Sequence, residues 1–254
     1  MILAILQARM SSTRLPGKVL RPIMGRPMLA LQIERIRRSA HIETLLVATS
    51  TEPSDAPIAE LCAKENILCH RGSLNDVLDR FYTGAKQYKP AHVVRLTGDC
   101  PLVDPVIIDT VIDYHLEHGC DYTSNCRPPT YPDGLDAEIF RYSVLETAWK
   151  EAKETYQREH VTPFIWQQPD RFKLGNVTNK KDLSDLRWTV DRAEDFVVVT
   201  EIYTSLYPKQ PAFGFMEILT FVHSHPEIQK LNAGFIRNES LKKDLEAAGK
   251  MEQS

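Results

Sequence analysis

Residues 1–20 read MILAILQARMSSTRLPGKVL. Ile2–Leu6 is an unbroken apolar run of strand length, closed by a polar loop with a Pro-Gly pair, which is the pattern of a strand buried on both faces. The loop carries Arg9, Arg14 and Lys18, four or five residues apart, among the hydroxyl residues Ser11, Ser12 and Thr13. Gly17 lets the backbone approach a ligand closely. Successive backbone N–H groups beside Arg and Lys make a concavity for phosphate oxygens. The loop is not a Walker loop: Ser12 stands where the first Gly of GxxxxGK[ST] belongs, and Val19 follows the lysine. It reads either as a phosphate cradle or as a solvated strand–helix connection.

Downstream, strand and helix patterns alternate. Pro27–Arg38 has helical apolar spacing, Thr44–Thr49 is a strand, Asp55–Glu65 a helix and Ile67–His70 a short strand. Asn75–Tyr88 is a helix capped by Asn75, followed by a strand at His92–Leu96, a helix at Pro105–Glu117 and a strand at Asp121–Ser124. Such alternation implies βαβ units and a mainly parallel sheet. The loops Arg9–Lys18, Ser50–Asp55, Gly72–Asp76 and Gly98–Asp104 then share one edge, where ligands bind.

The alternation stops near residue 125, where NCRPPTYPDGLDAEIF places three prolines in five positions. A short strand, Ala137–Phe140, ends that loop. Helices are expected at Ser143–Lys153 and Gln157–Gln167, strands near Phe172–Asn176 and Arg187–Val190, and helices at Ala193–Tyr203 and Phe215–Ser224. The last fifteen or so residues form a polar tail or an amphipathic helix. One domain, 1–254, is expected, with a nucleotide-binding half (1–125), a substrate-facing and metal half with a small antiparallel lobe (126–205), and C-terminal helices with a polar tail (206–254).

A net charge of −3 over 254 residues provides no global field for nucleic acid or an anionic membrane, so any anion site is local. There is no run of eighteen apolar residues, and MILAIL lacks a basic leader, which together point to the cytoplasm. The five cysteines are odd in number and form no CxxC pair, so neither a disulfide framework nor a zinc knuckle is indicated. His115 and His118 with Cys120 give no zinc-ligand spacing either.

Two acidic positions stand out. In RLTGDCPLVD (95–104), Asp99 follows an apolar strand and Gly98; a carboxylate there suits Mg²⁺, which takes its other ligands from water and phosphates. Asp99 also reads as a turn residue capping the next helix, although Asp104 fits that cap better. In WTVDRAED (188–195), Asp191 ends a strand, and Glu194 and Asp195 open a helix whose dipole favours them. Capping explains Asp191 as well. Should Asp99 and Asp191 converge, they make a two-carboxylate magnesium site facing the basic loop. Asp136 and Glu138 share one face of a strand, either as substrate contacts or as an exposed polar edge. Arg158, Glu159 and His160 open a helical stretch, ordinarily a solvated face. Arg127, Arg187 and Arg192 are further cations that suit an anionic ligand.

QARMSSTRLPGKVL, RLTGDCPLVDP, PDGLDAEIF, REHVTPFI and RWTVDRAED, in that order between Ile2 and about Tyr203, resemble the cytidylyltransferases that activate sugar acids. Within that family the likeness is greatest to the branch named for spore-coat polysaccharide biosynthesis protein F. The resemblance implies a GT-A-like nucleotide-binding α/β fold with a mostly parallel mixed sheet flanked by helices. It implies transfer of CMP from CTP to an acidic sugar or related anionic acceptor, with release of pyrophosphate, in surface polysaccharide or glycoconjugate biosynthesis. Mg²⁺ is the implied cofactor, held by Asp99 and Asp191, and a homodimer the implied assembly, with the Pro-rich 127–140 segment as its contact.

By position, the resemblance makes Arg9, Arg14 and Lys18 the triphosphate cations, with Arg14, Lys18 and Asp99 catalytic. Ala8, Ser12, Thr13 and Gly17 belong to the same nucleotide loop. Thr49, Ser50, Gly72, Asp76, Arg80 and Thr97 lie beside the base and ribose, with Arg95 a further candidate there. Asp136, Glu138, Glu159 and His160 bind the acceptor. The sugar-acid enzymes have GDEP where this chain has GDCP, so Cys100 replaces a Glu and the acceptor need not be theirs. The competing reading is a GT-A-type glycosyltransferase using a nucleotide sugar. Against it, Asp99 is not in a DxD pair, and three cations suit a triphosphate.

Overall fold

Period-two alternation along β1 (Ile2–Gln7) sends Ile2, Ala4 and Leu6 into one apolar layer and Leu3 and Ile5 into the other. A strand buried on both faces needs a helix layer on each side. The computed structural model, which describes residues 1–250, has that arrangement.

After β1 come a two-residue hairpin, β2 (Pro22–Ile23) and β3 (Arg26–Pro27), and helix α1 (Met28–Ile36). Then follow β4 (Thr44–Ser50), α2 (Ala56–Lys64), β5 (Leu68–Gly72), α3 (Val77–Lys86), β6 (His92–Thr97), α4 (Pro105–His118) and β7 (Tyr122–Ser124). The second half contributes β8 (Glu138–Arg141), α5 (Tyr142–Glu151), α6 (Thr155–His160), α7 (Pro163–Trp166) and β9 (Leu174–Asn176). It ends with α8 (Ala193–Leu206), α9 (Phe215–Ser224), α10 (Pro226–Gln229) and α11 (Glu239–Ala247). One layer packs α1, α2, α4, α8 and α9 against the sheet, and the other packs α3, α5 and α7.

Among the described residues, seven of the nine strands form one sheet in the order β5-β4-β1-β6-β8-β7-β9, and β2 and β3 form a separate hairpin. β5, β4, β1 and β6 are parallel; β8 is antiparallel to both neighbours, and β9 pairs parallel with β7. This is the expected mainly parallel mixed sheet, with β8 as its inverted strand. The chain leaves β1 toward β4 and β5, then returns to β6 on the other side. That reversal opens a crevice at the strand ends. Gln7 is level with both Ala48 and Thr97, and Arg95 is level with Glu138, so the start of β8 reaches the same crevice as the ends of β1 and β6.

Several local expectations change. Asp76, not Asn75, caps α3, its carboxylate accepting from Asp79 N at 2.9 Å. The single helix expected over 157–167 breaks at Val161, whose φ of +70° ends α6 before Pro163 opens α7. Arg187–Val190 is not a strand; one bridge, Asp133 to Arg187, is all the ladder it makes. The C-terminal stretch is the amphipathic alternative: α11 turns Leu241 and Leu245 inward, and residues 251–254 lie outside the described chain. From Tyr131 to Phe140 the Pro-rich segment is buried except at Asp136, which restricts any dimer contact there to 127–130. No helix among the described residues is long and apolar enough to cross a membrane.

Candidate active site

The loop after β1 is closed, not draped. Gly17 N donates to Met10 O at 2.9 Å, and Gly17 takes the left-handed φ of +70° that the closure requires. Leu15 and Val19 are buried and hold the base of the loop. Asp55, fully buried at the start of α2, accepts from Met10 N at 2.7 Å and from the backbone and hydroxyl of Ser50. One carboxylate thereby ties the loop to the end of β4. Arg9, Thr13 and Arg14 stay exposed, while Lys18 is drawn under the loop and is 7% exposed.

Lys18 is the centre of the site. Its Nζ donates to Val190 O at 2.7 Å and to Asp191 Oδ1 at 3.0 Å, and lies 3.4 Å from Asp99 Oδ2. Two carboxylates from segments 92 residues apart thus meet at one cationic atom. Burial works against the Lys18 charge, but Asp99 and Asp191 outweigh it and hold the amine above its ordinary value. Asp191 is more heavily engaged than Asp99. Arg14 lies 2.9 Å from Asp191 Oδ1 and Arg187 3.0 Å from Oδ2. Burial would raise its pKa, yet Lys18 and then Arg14 keep it well below the carboxylate range.

Asp99 reaches this point because Gly98 lets the end of β6 press on β1. A Cβ at Gly98 would lie 2.9 Å from Gln7 O and 3.1 Å from Ala8 Cβ. Cys100 Sγ sits 3.6 Å from Asp99 Oδ1, and burial, then the Asp99 charge, push the thiol well above its usual range. The residue that replaces the Glu of GDEP is therefore a neutral neighbour. Val190 N donates to Asp99 O at 2.7 Å, which joins the two acidic segments through the backbone.

A cavity of about 300 Å³ opens over these groups. Of the residues singled out from the sequence, Ala8, Arg9, Ser12, Thr13, Arg14, Lys18, Arg80, Arg95, Thr97, Asp99 and Asp191 line it on the loop side. Asp136, Glu138, Glu159 and His160 line it from the second half. Gly17, Thr49, Ser50, Gly72 and Asp76 do not. Thr49 and Ser50 are fully buried, and Gly72 meets the stem of Arg80, where a Cβ would lie 3.2 Å from Cγ. Arg80 is buried, donates to Ser73 O at 2.8 Å and is pushed down to about 10 by burial and by Arg9. Asp76 holds Arg158 through contacts of 2.6 to 3.0 Å and so fixes α6, which presents Glu159 and His160.

On the second-half side, Glu138 pairs with Arg95 and accepts from Tyr122 Oη at 2.6 Å and Thr162 Oγ1 at 2.8 Å. Burial opposes its charge, but Arg95 and Tyr122 hold it below the usual range. Asp136 pairs with Arg237, and Arg187 joins Asp133 at 2.7 Å to Asp195 at 2.9 Å. Arg187 is thus a buried cross-link, not a free acceptor cation. His160 lies 2.7 Å from Asp244, and Glu159 4.0 Å from Arg9, so Glu159, His160 and Asp244 gather at the rim.

Three contributions have no local sequence signal. Asp55 pins the loop, Arg237 positions Asp136, and Asn238–Leu241 roof the cavity, with Glu239 3.0 Å from Arg14. The last two come from residues 237–241, at the edge of the stretch that reads as a polar tail or an amphipathic helix.

The cytidylyltransferase family model matches residues 3–250. The spore coat polysaccharide biosynthesis protein SpsF of Bacillus subtilis (strain 168) is 34% identical over 233 residues, covering 89% of this chain and 95% of that protein. A cytidylyltransferase structure from Leptospira borgpetersenii superposes with a TM-score of 0.87 at 32% identity, over 92% of this chain and 98% of that one. CMP:2-keto-3-deoxy-manno-octonic acid synthetase complexed with CTP shares the fold, with a TM-score of 0.62 at 16% identity, over 80% of this chain and 98% of that one. With the match running through nearly every described residue, the chain belongs to the cytidylyltransferase family.

Proposed function

We propose that the protein transfers CMP from CTP to a small anionic, sugar-like acceptor and releases pyrophosphate, as a cytoplasmic, Mg²⁺-dependent step of surface polysaccharide or glycoconjugate synthesis. The observation that carries this is the convergence of Asp99 and Asp191 on Lys18 Nζ, in a cavity that also holds Arg9 and Arg14. The same convergence supports a divalent cation. Two carboxylates already share one cationic atom, oxygen donors are the ligands Mg²⁺ prefers, and a triphosphate supplies the remainder. Bound between Asp99 and Asp191, Mg²⁺ would neutralise phosphate charge and act as a Lewis acid.

The chain's own groups account for the rest. An oxygen of the acceptor attacks the α-phosphorus, the bond to the bridging oxygen breaks, and pyrophosphate leaves with that electron pair. Arg14 and Lys18 stabilise the charge that accumulates on the leaving group, being already oriented by Asp191 and Val190 O. Phosphoryl transfer of this kind needs positioning and charge neutralisation more than covalent help. Arg95 and Glu138, fixed by mutual pairing, and Asp136, fixed by Arg237, present a rigid polar wall to the acceptor.

The test is pyrophosphate release from CTP and Mg²⁺ with a panel of acidic sugars and phosphonates. Turnover with CTP above the other nucleoside triphosphates is expected. Hydrolysis of a nucleotide sugar with no CTP turnover would establish the glycosyltransferase instead.

A further inference from the structure

The C-terminal stretch sets a carboxylate between two guanidiniums. Glu239 Oε2 accepts from Arg14 Nη1 at 3.0 Å and from Arg192 Nη2 at 3.1 Å. The guanidinium of Arg192 lies over the ring of Phe235, 4.7 Å from its centroid, which fixes its orientation. A planar oxyanion held by two arginines is the arrangement that a phosphate group also satisfies.

The segment that supplies Glu239 is lightly attached. Leu241 and Leu245 are the buried side chains of α11, and they pack with Tyr156 and Trp166 in a small cluster apart from the two main layers. The polar tie between His160 and Asp244 adds to it. Glu239 also keeps Lys243 at 2.7 Å within the same helix, so leaving Arg14 and Arg192 does not strand its charge. Arg14 in turn keeps Asp191.

We propose that Arg14 and Arg192 together form a terminal-phosphate subsite, with Arg192 an additional nucleotide-binding residue, and that Glu239 is an internal anion which the incoming phosphate displaces. This rests on the cavity being a nucleoside triphosphate site. Glu239 then acts as a competitor built into the chain. It lowers affinity for ligands that carry terminal phosphates and leaves a monophosphate unaffected, and its displacement frees α11 from the roof of the cavity.

The experiment measures binding of CTP, CMP and inorganic tripolyphosphate to the full chain and to Glu239→Gln and Arg192→Gln by calorimetry. Glu239→Gln should bind CTP and tripolyphosphate about two- to five-fold more tightly, the range for a partly exposed ion pair. Arg192→Gln should bind both about ten-fold more weakly, as for one lost charge-assisted hydrogen bond. CMP affinity should not change in either. In the unsubstituted chain, amides 239–247 should lose hydrogen-exchange protection when tripolyphosphate is added. Unchanged or weaker tripolyphosphate binding by Glu239→Gln, a loss in Arg192→Gln shared equally by CMP, or unaltered protection of α11 overturns the proposal. A chain that binds tripolyphosphate with these responses but does not bind CTP supports the subsite and overturns the cytidine reading. A chain that binds CTP with neither variant responding does the reverse.

Discussion

Asp99 and Asp191 share Lys18, but they should fail differently when each is replaced by asparagine. Asp191 is held by Lys18 at 3.0 Å, Arg14 at 2.9 Å and Arg187 at 3.0 Å, and both Lys18 and Arg187 are buried. An asparagine there turns amide hydrogens toward buried cations and withdraws one charge from each. Breaking a buried pair costs about 3–5 kcal/mol, and because every cation keeps another partner, the lower end applies: about 3 kcal/mol, or a Tm lower by roughly 6–12 °C. Among the described residues, Asp99 pairs with Lys18 at the longer distance of 3.4 Å, and its side chain is 32% exposed. Asp99→Asn should therefore cost no more than about 1 kcal/mol, while abolishing turnover as completely as Asp191→Asn.

The folded pKa of Asp191 is depressed, so its contribution is full above the ordinary carboxylate range and is lost as pH falls through the folded value. The Tm gap between the unsubstituted protein and Asp191→Asn should accordingly be widest near pH 7 and shrink below about pH 4. Thermal denaturation at several pH values, paired with pyrophosphate release, measures all of this. Equal Tm losses for the two variants would refute the unequal sharing of charge inferred from the contacts.

Gly98→Ala puts a methyl group 2.9 Å from Gln7 O, so the ends of β1 and β6 must separate; urea denaturation should show a loss of about 1–3 kcal/mol, with turnover reduced because Asp99 moves with Gly98. Asp55→Ala unties Met10 N and Ser50 from the loop, and should cost about 2–3 kcal/mol and raise the KM for CTP more than it lowers kcat. His115 is buried against His92 at 3.0 Å, and burial followed by the His92 charge pushes its pKa down to about 4. The unfolded chain binds that proton first, so stability should fall by about 3 kcal/mol as pH drops from about 6.5 to 4. His115→Gln should flatten that slope in urea titrations.

What the sequence discloses follows the range of the interactions involved. The strand Ile2–Leu6, the Gly98–Asp99 turn and the Asp104 cap, which accepts from Val106 N at 2.9 Å, each declare themselves within a few residues. The pin from Asp55 to Met10 spans 45 residues and the bridge from Glu239 to Arg14 spans 225, and no local pattern of charge or apolar spacing encodes either. Arg187 illustrates the limit. Its residue type suits an anionic ligand, but Asp191 and Asp195, 4 and 8 residues further on, and Asp133, 54 residues back, surround it and claim the guanidinium for the fold. The expected strand at 187–190 failed for a related reason. Arg187, Trp188, Thr189 and Val190 are all buried, but the backbone N–H groups of Trp188 and Val190 donate to Asp133 and Asp99 in loops instead of to a neighbouring strand.

The reversed direction of β8 has a consequence for how acceptor preference can diverge. In a parallel strand, only the loop that follows it reaches the crevice; here the loop that precedes it does, so that Asp136 enters from residues 125–137 and Glu138 from the first position of β8. The proposed nucleotide groups of the first half follow strands, whereas Asp136 and Glu138, on the proposed acceptor side, come just before a strand and at its start. The 125–137 segment, bounded by β7 and β8, is therefore a cassette that can change around Asp133, whose carboxylate holds Arg187, without lengthening the Arg9–Lys18 loop.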